Sequence, residues 1–66
     1  MKLLVALGNV FKTGSWENDT YFECDETWEE NCIDKKDAEN IIANYGFRIY
    51  NMTVNTEKQR ITIYCY

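Results

Sequence analysis

The sequence predicts an α+β domain in which a small antiparallel sheet of about four strands carries one helix on one face, in the order ββαββ. Three observations predict this fold. One segment has the spacing of an amphipathic helix, two segments rich in β-forming residues follow it, and two strand-like segments precede it. The chain has 66 residues, about half the length of a typical domain, so we expect a single domain over residues 1–66.

The helix is predicted between residues 34 and 46. Asp34 is a favoured N-cap residue, and Asp37 occupies the third helical position, where a capping box carries its acid. Four apolar residues then recur at the i, i+3, i+4, i+7 spacing of one helical face: Ala38, Ile41, Ile42 and Tyr45. Gly46 supplies the left-handed residue that commonly ends a helix.

Two strands are predicted after the helix, over residues 47–54 and 60–66, with a polar turn over residues 55–59 between them. If Val54 pairs with Ile61, the alternation places six apolar side chains toward the core. The pairs would be Val54 with Ile61, Met52 with Ile63, and Tyr50 with Cys65. The opposite face would be half aromatic or apolar and half polar: Ile49, Asn51, Thr53, Thr62, Tyr64 and Tyr66.

The first half of the chain predicts two further strands. Residues 3–7 are apolar on both sides, which is typical of a central strand, and Gly8-Asn9 indicates a bulge or a turn. Residues 13–15 form the best loop signal, and residues 20–24 are typical of a second strand. Residues 25–32 are ambiguous, with a short helical turn as one interpretation.

The cysteines and the N-terminus indicate a protein of the cytoplasm. The apolar run from Leu3 to Leu7 is shorter than the h-region of a secretory signal. Cys24, Cys32 and Cys65 form an odd number, which does not fit a secreted disulfide framework. We therefore expect three reduced cysteines that pack as small hydrophobic residues, with one bridge and a leftover thiol as the alternative.

The composition argues against catalysis and against cofactor or metal binding. The chain has no His and one Ser, so Ser–His and Cys–His pairs cannot form. Its three glycines are scattered, so they form no phosphate-binding loop, and its cysteines lack zinc-site spacing. The formal net charge of −4 argues against direct binding of nucleic acid or of anionic membranes. We expect a protein that is not an enzyme and has no cofactor.

One stretch of the chain is unusually acidic. Eight carboxylates fall within eighteen residues that contain no Lys or Arg: Glu17, Asp19, Glu23, Asp25, Glu26, Glu29, Glu30 and Asp34. The first four have odd numbers, so a strand would place them on one side at roughly 6.6 Å spacing. This spacing is comparable to the step between neighbouring phosphates of a nucleic-acid strand. Aromatic residues are interleaved with these acids: Trp16, Tyr21, Phe22 and Trp28.

Two interpretations of the acidic stretch are open. It is either a solvated face that keeps a small protein soluble or a negative surface that docks on a basic protein partner. In the second case the predicted partner-binding residues are Glu17, Asp19, Glu23, Asp25, Glu26, Trp28, Glu29 and Glu30. Carboxylates and aromatic rings together suit such an interface, since charge steers the encounter and rings anchor it.

The functional expectation is a small stoichiometric inhibitor, a monomer or homodimer, that mimics nucleic acid in the binding groove of another protein. In size, acidity and lack of catalytic groups the chain is similar to phage-encoded anti-defence proteins, anti-CRISPR proteins among them. This is a similarity of class that no motif carries, and it implies the host cytoplasm as the location. The alternative is a structural or assembly subunit that self-associates through its C-terminal aromatic strand, at Tyr64 and Tyr66.

Overall fold

The computed structural model describes residues 1–16 and 19–66, which form four strands and one helix. In chain order the elements are β1 (Lys2–Lys12), β2 (Thr20–Asn31), α1 (Lys35–Tyr45), β3 (Ile49–Asn55) and β4 (Arg60–Cys65). The predicted α+β class and the ββαββ order are confirmed. The ambiguous residues 25–32 are strand as far as Asn31, because β2 continues well past the predicted segment 20–24.

The strands form one sheet in the order β2-β1-β4-β3. β1 pairs with β2 and β3 pairs with β4 in antiparallel fashion, whereas the two central strands, β1 and β4, are parallel. The prediction of a purely antiparallel sheet is therefore wrong for the central pair. The long connection through β2, α1 and β3 makes this pairing possible, since parallel strands require a crossover rather than a tight turn.

The core lies between α1 and one face of the sheet. Alternate residues of the two central strands are fully buried there, as expected for strands that are covered on one side. The buried cluster consists of Leu3, Val5, Cys32, Ala38, Ile42, Ile61, Ile63 and Cys65. On the helix, Ala38 and Ile42 are fully buried, whereas Ile41 is only half-buried at the edge of this cluster.

Both predicted ends of the helix are confirmed. The Asp34 carboxylate accepts a bond of 2.8 Å from the N–H of Asp37, and the Asp37 carboxylate accepts one of 2.8 Å from the N–H of Ile33. Gly46 has φ 85 and its N–H donates to the Ala43 carbonyl at 2.9 Å, as in a left-handed C-cap. Within the described residues, no helix has the length and apolar character that crossing a membrane requires.

The predicted irregularity at Gly8-Asn9 is a β-bulge in the pairing of β1 with β2. Leu7 pairs with Glu26 but Gly8 pairs with Cys24, so Asp25 is the extra residue. A Cβ atom on Gly8 would overlap the backbone carbonyl oxygen of Glu23. This position therefore requires glycine, because the backbone of β2 passes too close for any side chain.

A second bulge corrects the predicted register of β3 with β4. Val54 pairs with Ile61 and Met52 with Ile63, as expected, but Ile49 rather than Tyr50 pairs with Cys65. The register shifts between Ile49 and Asn51, which leaves Tyr50 as the extra residue. Tyr50 is therefore not on the core side. Its ring stacks on Phe22 at a centroid distance of 5.4 Å, on the face that α1 does not cover, which we call the open face.

Candidate protein-binding surface

Most of the predicted acidic residues lie on β2, the outermost strand at one end of the sheet. Side chains alternate along a strand, so these acids are divided between its two faces. Glu26 and Glu30 pair with Leu7 and Leu3 on the helix-covered face, whereas Glu29 lies on the open face. The expectation that the odd-numbered acids share one side of a strand is wrong, because Asp19 precedes β2 and Asp25 is the bulged residue.

Two of the predicted partner-binding residues, Trp28 and Glu30, stabilise the fold. The Trp28 Nε1 and the Tyr45 hydroxyl both donate to Oε2 of Glu30, at 2.9 and 2.8 Å. The rings of Trp28 and Tyr45 meet edge to face at 5.9 Å, and Tyr45 stacks on Phe47 at 5.7 Å. The hydrogen bond to Glu30 raises the pKa of Tyr45, as do partial burial and the negative charge. These hydrogen bonds and ring contacts hold β2 against the C-terminal end of α1.

Four other acids of β2 are exposed to solvent: Glu23, Asp25, Glu26 and Glu29. Asn9 Nδ2 donates to the Asp25 carboxylate at 2.7 Å. Lys2 Nζ lies 3.4 Å from the Glu29 carboxylate, with the two side chains 53% and 56% exposed. An exposed pair of this kind contributes roughly 0–1 kcal/mol, so a partner could replace it at little cost. We call these four residues the acidic edge.

Asp19 lies in the loop between β1 and β2, directly before β2. The backbone carbonyl of Asp19 accepts bonds from the N–H and the hydroxyl of Thr13, at 2.7 and 2.9 Å. Asp19 therefore helps to close the loop while its side chain stays partly exposed. Glu17 lies outside the described residues.

The ends of β1 and β2 form a two-stranded hairpin arm, residues 8–12 and 20–24, because β4 pairs with β1 only from Lys2 to Leu7. Phe11 and Tyr21 stack on it at 5.2 Å while 41% and 47% exposed, and Trp16 in the connecting loop is 76% exposed. Sequence reasoning missed Phe11, since its only signal is its position opposite Tyr21 once the strands pair. Exposed rings of this size are typical anchors of protein interfaces.

The open face carries a second group of aromatic rings. Phe22 stacks on Tyr50 and meets Tyr64 edge to face at 5.7 Å, beside Asn51 and Thr53. The predicted aromatic and polar side of the sheet is therefore present, although Tyr50 has joined it and Ile49 pairs with Cys65. β4 lies between β1 and β3, so the C-terminal strand presents Tyr64 on a face and does not offer a strand edge.

The cysteines divide between core and surface. All three are free thiols. Cys32 and Cys65 are buried, and burial raises the pKa of both thiols, which keeps them neutral as core residues. Cys24 is exposed on the hairpin arm, so the expectation that it packs as a hydrophobic core residue is wrong. Among the described residues, no three acids or cysteines are grouped to hold a metal ion.

Comparisons of the chain with protein-family models, with curated proteins and with solved structures give no match. Inference about function therefore rests on the chemistry of the exposed groups. Carboxylates of the acidic edge attract positive charge, and the rings of the hairpin arm offer apolar area beside them. This combination suits binding to a positively charged protein surface.

Proposed function

We propose that this chain is a non-catalytic protein-binding domain, a stoichiometric inhibitor that places its acidic edge and hairpin arm on a basic groove of a partner protein. The observation that carries the proposal is the row of exposed carboxylates on one outermost strand, adjacent to the exposed rings of Phe11, Trp16 and Tyr21. A groove that binds nucleic acid has the charge that fits this surface.

The charge distribution supports this mode of binding. Outside residues 17–34 the chain has three acids and seven bases, so its negative charge is concentrated near β2. Concentrated charge of this sign raises the rate of encounter with a basic surface and orients the approach. The aromatic rings then contribute affinity, because buried rings dominate the energetics of interfaces.

The class of partner that we propose is a nucleic-acid-binding protein. Small acidic proteins without catalytic groups are suited to blocking nucleic-acid-binding proteins by occupying the site of the phosphates. An anti-defence protein encoded by a phage and acting in the host cytoplasm would have these properties. The 66-residue length is sufficient for this role, since one sheet face or edge of a small domain covers a standard interface.

A second candidate is a subunit that self-associates through the open face. The observation that favours it is the exposed cluster of Phe22, Tyr50 and Tyr64. Burial of these rings against a second copy would stabilise an assembly. Sedimentation velocity separates the candidates, because self-association raises the sedimentation coefficient with concentration in the absence of any partner.

Charge removal tests the inhibitor proposal. The double variant Glu23→Gln/Glu26→Gln removes two charges from the acidic edge, and Glu39→Gln/Glu57→Gln removes two from the rest of the molecule. We expect the first to bind the partner about tenfold more weakly or worse, the lower range for close interfacial charge pairs. The second should bind as the parent does. The partner is captured from host lysate on the immobilised parent chain and identified, and affinities are measured by titration calorimetry.

Two results would contradict the proposal. One is a partner that binds both double variants with the affinity of the parent chain. The other is a partner whose own nucleic-acid ligand binds simultaneously with this chain, because a blocked groove cannot hold both.

A further inference from the structure

The hydrogen bonds of the sheet show which backbone groups of β2 face β1. The Met1 amino group donates to the Cys32 carbonyl at 2.7 Å, and the Cys32 N–H donates to the Met1 carbonyl at 2.8 Å. Lys2, the next residue, donates instead to the Gln59 carbonyl beside β4, at 3.0 Å. In an antiparallel pair, doubly bonded residues alternate with residues whose backbone groups face away. Odd-numbered residues at the start of β1 therefore bond to β2.

This alternation identifies the free backbone groups of β2. The doubly bonded partners of Leu3 and Val5 are Glu30 and Trp28. The intervening residues point their N–H and C=O groups away from β1: Thr27, Glu29 and Asn31. Among the described residues no strand pairs with this side of β2, which ends the sheet. The segment is a ready site for one more strand.

The opposite edge of the sheet, β3, is less suited to accept a strand. The side-chain oxygen of Asn51 accepts the N–H of Met52 at 2.9 Å, and the bulge at Tyr50 interrupts the regular backbone. β3 (Ile49–Asn55) also has no charged side chain that could select a partner. A strand that adds to this sheet is therefore directed to β2.

The charges beside the free segment determine which strand fits. Glu26 lies on the helix-covered face and Glu29 on the open face, and both are exposed. An added strand with Lys or Arg on both of its faces would meet a carboxylate on each side of the sheet. The half-buried ring of Trp28 offers a surface on which an Arg or a Lys stem can lie. An acidic strand would be repelled by the same side chains.

From this geometry we infer that the free edge of β2 binds an extended basic segment of a protein as an additional strand, paired through Thr27, Glu29 and Asn31. The inference deepens the proposed function and rests on it only for the positive charge of the partner. The backbone pairing follows from the outward N–H and C=O groups of β2 and does not depend on the proposed function. The Asp25 bulge limits the site to the straight part of β2, toward its C-terminal end.

A synthetic peptide tests the inference without knowledge of the natural partner. The probe is a capped nine-residue peptide that repeats Lys-Val-Thr, so its lysines fall on alternate faces of a strand. A further version carries an N-methyl group on every residue, so it keeps the lysines but has no backbone N–H group to donate. We expect the parent peptide to slow amide hydrogen exchange at Thr27, Glu29 and Asn31. Methylation should weaken binding at least about tenfold, because an added strand must donate backbone N–H groups to β2.

Variants of the protein give an independent readout. Thr27→Pro removes an outward N–H without removing a bond to β1, which is the position where an edge strand tolerates proline. We expect it to keep the fold, as judged by amide NMR spectra, and to lose peptide binding, whereas Thr27→Val binds as the parent does. If Thr27→Pro unfolds, the comparison of the methylated peptide with the parent peptide still decides the matter.

Several results would overturn the inference. Equal binding of the methylated peptide and the parent peptide, or no binding of the parent peptide at millimolar concentration, would exclude strand addition. Equal binding of a peptide with Glu in place of Lys would exclude the basic occupant. A partner whose binding falls in Glu23→Gln/Glu26→Gln but not in Thr27→Pro would leave the proposed function standing and refute the edge pairing alone.

Discussion

At the scale of single residues, the same residue type has different roles along β2. Glu29 is solvated on the open face, whereas the carboxylate of Glu30 accepts bonds from both Trp28 and Tyr45. Adjacent residues on a strand face opposite sides, so one acid meets the helix and its neighbour meets water. No local pattern distinguishes the two, because Tyr45 is 15 positions away from Glu30 in the sequence.

The bond between Glu30 and Tyr45 has a consequence for pH dependence. The hydrogen bond to the Glu30 carboxylate, together with partial burial of Tyr45 and the negative charge of Glu30, raises the pKa of Tyr45 above the ordinary value of 10.0. A raised pKa of this phenol stabilises the folded state below the ordinary value, and that stabilisation is lost as the pH rises through the folded-state pKa. We expect Glu30→Gln to lower the pKa of Tyr45, because the charged acceptor is gone.

Absorbance of the phenolate, with Tyr45→Phe to identify its contribution, measures this shift. Glu29→Gln is the matched control, since its side chain lies on the other face of the same strand. An unchanged titration of Tyr45 in Glu30→Gln would mean that the hydrogen bond does not set its pKa.

At the scale of elements, local chemistry made the helix predictable and long-range pairing made β2 difficult. Asp34, the apolar spacing and Gly46 each act within a few residues, and all three determine α1 as expected. Residues 25–31 are rich in acids, which are depleted in strands, yet they form a strand because they pair with the apolar residues of β1. An outermost strand tolerates them, since the carboxylates of Asp25, Glu26 and Glu29 stay in water and that of Glu30 accepts hydrogen bonds.

Bulges and strand direction were beyond sequence reasoning for a related reason. Alternation of apolar and polar residues fits parallel and antiparallel pairs equally well, so it could not reveal that β1 and β4 are parallel. The extra residues at Asp25 and Tyr50 interrupt the alternation only once each, and a single interruption resembles ordinary variation. The run of acidic residues in the sequence was sufficient to locate the acidic edge. The hairpin arm, the position of Phe11 on it and the free backbone groups of β2 could be identified only from the order of the strands in the sheet.

The residues of α1 differ in burial, and truncating them should therefore destabilise the protein to different extents. Ile42 is fully buried against the sheet, Ile41 is half-buried, and Asn40 is exposed. Truncation of a buried Ile to Ala costs roughly 2–5 kcal/mol, and a domain of this size is stabilised by about 3–5 kcal/mol. We therefore expect Ile42→Ala to remove most of the folded population, Ile41→Ala to destabilise less, and Asn40→Ala to have almost no effect.

Thermal and urea unfolding followed by circular dichroism measures these differences. The order of the three variants is the decisive result. If Ile41→Ala proved more destabilising than Ile42→Ala, the helix would have to be rotated about its axis relative to the arrangement described above.

At the scale of the whole molecule, the position of the acids at one end of the sheet connects stability with binding. An outermost strand with free N–H and C=O groups invites pairing with any extended chain, and acidic side chains discourage pairing with copies of itself. The same side chains favour a basic chain at that edge. Under the proposed function, the acidic edge disfavours pairing with a second copy and selects a basic partner, with repulsion between the carboxylates of β2 as the cost.

Repulsion among these carboxylates makes the stability of the folded protein depend on salt. The Debye length falls from about 10 Å at 0.1 M salt to about 3 Å at 1 M, so added salt screens the repulsion among the carboxylates of the acidic edge. We expect the melting temperature of the parent chain to rise with added NaCl. Relief of about 0.5 kcal/mol of repulsion corresponds to about 2–4 °C in a domain of this length.

Glu23→Gln/Glu26→Gln should melt at a higher temperature at low salt and gain less from NaCl. Glu39→Gln/Glu57→Gln should keep the full increase, because those acids lie outside the acidic edge and follow or precede lysines in the sequence. Identical salt dependence in both double variants would show that the acidic edge carries no significant repulsion, and its charges would then be neutral with respect to folding.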